Sequence, residues 1–204
     1  MSNGGGFTNL IARTPSVAQH IAAFAAGSAA LYPGTLPGIP IGPTPPSAPI
    51  SSSLTKGTTS DPETPSGVPF LETHGTADHI VPYDGRSANK EGNTAYRLPD
   101  IQAWRAAWAL RNGFIPHSSP PSDLIEIPPA IVISGPGIEL PPPTSVTNPF
   151  PKTTLYTWKC VGGADILGYT IDGMGHTWVT EPPESFNATT DVILPFFEQH
   201  PLPN

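Results

Sequence analysis

Proline sets the limits on what this chain can build. It holds 29 prolines in 204 residues. Each one fixes φ and removes a backbone N–H, so helix interiors and central strands exclude it. The prolines are clustered. Residues 33–66 are rich in Pro, Gly, Ser and Thr and show no apolar period, and residues 115–151 form a second Pro-rich stretch. Both are predicted to be long loops rather than core. Regular structure is thereby confined to the segments around and between them.

Those segments carry clear patterns. Residues 5–13 predict a short helix. HIAAFAAGSAALY, residues 20–32, is apolar on every side and predicts a buried strand with a short helical approach. VPFLETH predicts a short strand running into the polar turn Gly75-Thr76-Ala77-Asp78. Between 100 and 112, Ile101, Trp104, Ala107, Trp108 and Leu110 recur at helical spacing, with Pro99 at the start and Gly113 at the end. The two tryptophans read as core packing rather than a ligand platform. Residues 153–160 and 165–172 predict two strands joined by Val161-Gly162-Gly163-Ala164. Residues 188–199 predict a last helix whose apolar face includes Val192, Ile193, Phe196 and Phe197, which Pro195 should kink or stop. Strands alternating with helices predict an α/β layered fold in one domain over residues 1–204. The strands are too few for a sheet covered on both faces.

The formal net charge is −7 and only 9 residues are Lys or Arg, which argues against nucleic-acid and acidic membrane partners. No apolar run approaches the roughly 20 residues of a transmembrane helix. The first residues lack the charged and apolar regions of a signal peptide. For a chain that starts at Met1 this points to the cytosol, and for a piece of a longer chain it says nothing. Cys160 is the single cysteine, so no internal disulfide forms, and a buried small apolar role is the simpler reading. Asn187-Ala188-Thr189 is a glycosylation sequon and supports secretion only slightly.

The chemistry sits in three turns. Ser2-Asn3-Gly4, followed by Gly5 and Gly6, supplies the second half of a Gly-x-Ser-x-Gly nucleophile elbow. Glycines flank such a serine because a Cβ would clash where strand and helix crowd together. Acyl transfer through serine also needs a base, a group that orients the base, and amides to hold the oxyanion. Asp78 lies in His74-Gly75-Thr76-Ala77-Asp78, and His176 in Gly173-Met174-Gly175-His176-Thr177-Trp178. Taken singly, Ser2 reads as a terminal residue, Asp78 as a turn-forming Asx and His176 as a loop histidine. Taken together, in the order Ser, Asp, His and each at a strand end, they point to a catalytic triad. His74 and His79 lie too close to Asp78 in sequence to be its separate base. His74, His79 and Asp78 together offer a metal-site alternative with no further ligand motif beside them, and the chemistry calls for no metal or cofactor.

Four blocks, SNGGGFTNLIARTPSVAQHIAAFAAGSAALY, HGTADHIVPYDG, RLPDIQAWRAAWALRNG and GGADILGYTIDGMGHTW, resemble the secreted esterase family that includes fungal type C feruloyl esterases, bacterial polyhydroxybutyrate depolymerases and acetylxylan esterases. The resemblance implies an α/β-hydrolase fold, of which this chain is the C-terminal portion, with 33–66 and 115–151 as long insertions. The family's elbow, Gly-x-Ser-Asn-Gly-Gly, places the nucleophile on Ser2 with Met1 at the x position. Its acid falls on Asp78 and its base on His176, and the amide of Asn3 becomes an oxyanion donor. Trp178 either flanks a phenolic acyl group or packs. The implied partner is an ester of a cell-wall polysaccharide or a polyester, and the full-length relatives are extracellular. Feruloyl esters of arabinoxylan are the preferred substrate, because the Pro-rich, low-charge composition and the block around LPDIQAW look fungal. Polyhydroxybutyrate depolymerase and acetylxylan esterase are the alternatives. Several positions depart from the family. Its cysteines fall near Arg13 and Phe114, so Cys160 resembles half of a lost disulfide. Val179 replaces the usual Pro. The first elbow Gly and the strands before it would precede Met1, which makes Met1 an expected internal residue of a longer enzyme. The contrasting expectation is an inactive fragment, in which loss of those strands exposes the apolar faces of 20–32 and 67–73 and favours aggregation.

Overall fold

The computed structural model describes residues 1–31, 67–86, 98–114, 140–180 and 186–202. The loop predicted at 33–66, and that at 115–151 as far as residue 139, lie outside the described residues. The chain forms α1 (Asn3–Ala12), α2 (Pro15–Ala18), β1 (Phe24–Gly27), β2 (Phe70–Gly75), α3 (Ile101–Arg111), β3 (Ser145–Phe150), β4 (Thr153–Trp158), β5 (Ile166–Ile171) and α4 (Leu194–Glu198). The strands make one mixed sheet in the order β1-β2-β5-β4-β3. β1, β2 and β5 run parallel, and β4 and β3 close the sheet as an antiparallel pair. The chain therefore has an α/β layered architecture.

Two findings correct the sequence expectations. Residues 145–150 form β3, not loop. Pro149 is tolerated there because β3 is the sheet edge and its ladder shifts register between Thr147 and Phe150. The sheet is also covered on both faces. Strand alternation sends Phe70 and Ile166 to one face, against Trp104 and Trp108 of α3, and Leu71 and Ile171 to the other, against Phe186, Val192 and Phe196. Among the described residues of these stretches, the predicted exposure of the apolar faces does not occur: Phe24, Ala26 and Leu31 are buried, as are Phe70 and Leu71. All of β2 is buried, and large exposed apolar side chains fall instead on positions such as Phe7 and Leu10 of α1.

α3 starts where Asp100 caps it, accepting a hydrogen bond from the Ala103 N–H at 2.8 Å, with Pro99 just outside. It ends at Gly113, whose φ of +73° suits only glycine at low cost. Trp104 and Trp108 are both fully buried, and each donates its indole N–H to the same Asn9 Oδ1, at 3.3 and 3.0 Å. That shared acceptor ties α1 to α3. Residues 188–198 form a π-helical turn over Ala188–Ile193 that becomes α4 at Leu194. Pro195 sits in the first turn of α4, where its missing N–H costs little. Asn187 of the sequon caps this segment, accepting from the Thr189 N–H at 2.9 Å.

Candidate active site

The parallel strands β1, β2 and β5 all end on the same side of the sheet, where the Asp78 and His176 turns are bonded to each other and Ser2 is bonded to residues 27 and 28 after β1. Thr73 of β2 pairs with Gly27 of β1, and Gly75 pairs with Ile171 of β5. The turn after β2 carries Asp78 and the turn after β5 carries His176. Backbone and side-chain bonds join the two turns. The Thr76 N–H donates to the Ile171 carbonyl at 3.0 Å, the Ala77 N–H to the Met174 carbonyl at 3.0 Å, and the Gly173 N–H to Thr76 Oγ1 at 2.9 Å. Gly75 permits this closeness. A Cβ there would strike the Met174 carbonyl, whose carbon would lie only 2.6 Å away.

The result is an Asp–His pair. Asp78 is buried, and its Oδ2 accepts from His176 Nδ1 at 2.7 Å. Its Oδ1 accepts from the Ile80 and Val81 N–H groups at 2.9 and 2.8 Å. Asp78 is thus a turn-forming Asx through one oxygen and an orienting partner for histidine through the other. With Nδ1–H held by the carboxylate, the neutral His176 ring presents Nε2 as a base.

Ser2 reaches the same side through β1. Its N–H donates to the Gly27 and Ser28 carbonyls at 3.2 and 3.1 Å, and it forms a parallel bridge with Ala29. Residues 27 and 28 in turn touch the segment after His176. Ser28 Oγ lies 3.5 Å from the Thr177 carbonyl, and Gly27 lies under the Trp178 ring. Ser2 has φ 52° and ψ −126° at the start of α1, a strained backbone for a residue with a side chain. The crowding expected of the elbow glycines falls on Gly5, not Gly4. A Cβ on Gly5 would sit 2.7 Å from Ala29 Cβ, whereas Gly4 has nothing within 4 Å beyond its own helix. Asn3 opens α1, so its amide lies in the first turn, at the positive end of the helix dipole.

Trp178 is half-buried, packs on Gly27 and donates its indole N–H to Thr189 Oγ1 at 3.1 Å. Packing is the role its contacts display. His79 is exposed, and among the described residues no group of three His, Cys, Asp or Glu side chains is placed to hold a metal ion. No described helix is long and apolar enough to cross a membrane.

Sequence reasoning missed a buried ionic chain behind Asp78. Glu72 of β2 accepts from Arg105 Nε and Nη2 at 3.0 and 2.6 Å, and its other oxygen lies 2.9 Å from His74 Nδ1. Arg105 Nη1 donates to Thr170 Oγ1, itself 2.8 Å from the Tyr83 hydroxyl. All of these charged side chains are fully buried. Burial alone would push the Glu72 carboxyl up, but Arg105 and His74 outweigh it and its pKa ends below the ordinary value. Burial likewise opposes charging of His74, and Glu72 outweighs that, leaving its pKa above the ordinary value. The signal was a Glu inside an apolar strand and an Arg on the buried side of α3, since a charge in such a place needs a partner. Compared with known proteins, the chain matches no protein-family model, and no curated protein matches it significantly.

Proposed function

We propose that this chain is a serine esterase of α/β-hydrolase type that cleaves carboxylic esters, with feruloyl esters of plant cell-wall arabinoxylan as the preferred substrate class. The observation that carries the proposal is the 2.7 Å contact between His176 Nδ1 and Asp78 Oδ2, on the side of the sheet where Ser2 occupies a strained turn. In this mechanism His176 Nε2 takes the Ser2 hydroxyl proton as Oγ attacks the ester carbonyl. The main-chain amide of Asn3 stabilises the oxyanion. The His176 imidazolium then protonates the leaving alcohol, and an acyl-serine remains. Water, deprotonated by His176, attacks the acyl group, and the acid departs as Ser2 regains its proton. Asp78 stays ionised and holds the ring orientation throughout.

Hydrolysis of a nitrophenyl ester by the purified chain tests the chemistry. Ser2→Ala should lose about 10⁴- to 10⁶-fold in kcat, and Asp78→Asn about 10⁴-fold through the wrong His176 tautomer. Equal rates for the unsubstituted chain and Ser2→Ala would remove the catalytic claim. Methyl ferulate, acetylated xylan and hydroxybutyrate oligomers, compared by kcat/KM, then rank the feruloyl reading against the acetylxylan and polyester alternatives.

A further inference from the structure

We infer that His74 is held as a permanent imidazolium behind Asp78 and acts as a positioning residue for the Asp78–His176 pair. His74 is fully buried, with Nδ1 at 2.9 Å from Glu72 Oε1 and Nε2 at 2.8 Å from the Val81 carbonyl. An ionised carboxylate and a peptide carbonyl are both acceptors only, so both contacts are hydrogen bonds only if both ring nitrogens carry protons. A neutral ring protonated at Nδ1 would turn a lone pair on the Val81 oxygen. A neutral ring protonated at Nε2 would need a protonated Glu72, against the two N–H groups that Arg105 aims at that carboxylate. Among the described residues no buried side-chain N or O lacks a partner, so the chain of charges is fully satisfied. The raised pKa of His74 agrees with this geometry.

The cation stands where it bears on the proposed chemistry. His74 Nε2 lies 3.4 Å from Asp78 Oδ2, the oxygen that holds His176. It also bonds the carbonyl of Val81, whose N–H binds Asp78 Oδ1. His74 thus touches the turn at Asp78 and at Val81. The charged and titratable groups around it are Glu72 on its own strand, Arg105 from α3, Asp78 from the turn, and the Tyr83 ring at 6.1 Å. Arg105, Glu72, His74 and Asp78 sum to zero charge when His74 is protonated. Losing that proton, or the side chain, leaves a net negative cluster behind His176 and makes His176 more basic.

The charge assignment stands without any activity, whereas the effect on catalysis rests on the esterase reading, and the experiment separates the two. Long-range ¹H–¹⁵N correlation spectra of the whole chain, with the His74 ring assigned through contacts to Val81 and Tyr83, should show both ring nitrogens protonated at pH 7 and 8. A ring with one unprotonated nitrogen at pH 7 overturns the inference, whether or not the chain is an esterase. In the activity arm, His74→Gln should move the acid limb of kcat/KM up by roughly one pH unit, because a more basic His176 must lose its proton before it can act. An unmoved limb, with activity present, overturns the positioning role. If His74→Gln does not fold, Glu72→Gln carries the test: His74 should then lose one ring proton at pH 7, and a ring that stays doubly protonated refutes the assignment of Glu72 as its counter-ion.

Discussion

Two glycines near the proposed site make opposite predictions. Gly75 ends β2, and a Cβ there would press into the Met174 backbone, with the carbonyl carbon at 2.6 Å and Cβ at 2.9 Å. Gly175 sits in the turn that bears His176, and its nearest neighbour would be the Ala77 carbonyl oxygen at 4.0 Å. Gly75→Ala must therefore drive the Met174 backbone away by on the order of 1 Å to restore ordinary contact. The Met174 carbonyl is also the acceptor for the Ala77 N–H at 3.0 Å, so that bond lengthens or breaks. Losing the bond costs about 1 kcal/mol, and the overpacking costs about 1–3 kcal/mol. Together they predict a loss of roughly 2–4 kcal/mol, or about 4–16 °C in Tm for a chain of this size.

The same displacement parts the Asp78 turn from the His176 turn. A misplacement of about 1 Å is worth roughly 100-fold in rate, so ester hydrolysis by Gly75→Ala should fall that far even at temperatures where it stays folded. Gly175→Ala should keep Tm within about 1 °C, since surface changes without contacts stay near neutral. Calorimetry and nitrophenyl ester kinetics on both variants give the comparison. A Gly75→Ala protein with unchanged Tm, or a Gly175→Ala protein equally damaged, would refute the claim that Gly75 sets the approach of the two turns.

Asn9→Leu should destabilise the chain by about 2–5 kcal/mol, because it strands the indole N–H groups of two fully buried tryptophans. Thermal melting checks this, and a loss under 1 kcal/mol would contradict the role of Asn9 as the tie between α1 and α3. Burial pushes the Cys160 thiol up to about 12, so it should resist thiol reagents at pH 8 in the native chain and react promptly in denaturant. Phe114 pairs with Cys160 across an antiparallel bridge flanked by the Val161 N–H to Gly113 carbonyl bond, a spacing suited to a cross-strand disulfide. Phe114→Cys should therefore form a bond with Cys160. Closing a loop of roughly 45 residues is worth up to about 4 kcal/mol, less the packing lost with the Phe114 ring. Two titratable thiols in the denatured oxidised protein would show that the pairing does not form.

How much of this was legible in the sequence follows from the range of the interactions involved. The Asp78 and His176 turns could be read because their determinants are local: a Gly that lets the backbone close, an Asx, and a strand end. α3 was legible for the same reason, from Pro99 and Gly113 at its ends and tryptophans one turn apart, although the cap itself, Asp100, emerged only in the structure. β3 was not, because Pro149 and its Pro-rich neighbours dominate a stretch whose pairing partner, β4, is what makes it a strand. The ionic chain was hidden more deeply, since Arg105 meets Glu72 across 33 residues and Thr170 across 65. What places them together is alternation. Glu72, His74, Gly168 and Thr170 all point to the α3 face, and Gly168 leaves room for Arg105, whose side chain a Cβ there would strike. A strand read only as an apolar run conceals which of its faces carries a charge. The structural reading of Asp78 and the proposed catalytic one are compatible. The carboxylate holds its own turn through one oxygen and His176 through the other, so the local role fixes the geometry that the proposed chemistry requires.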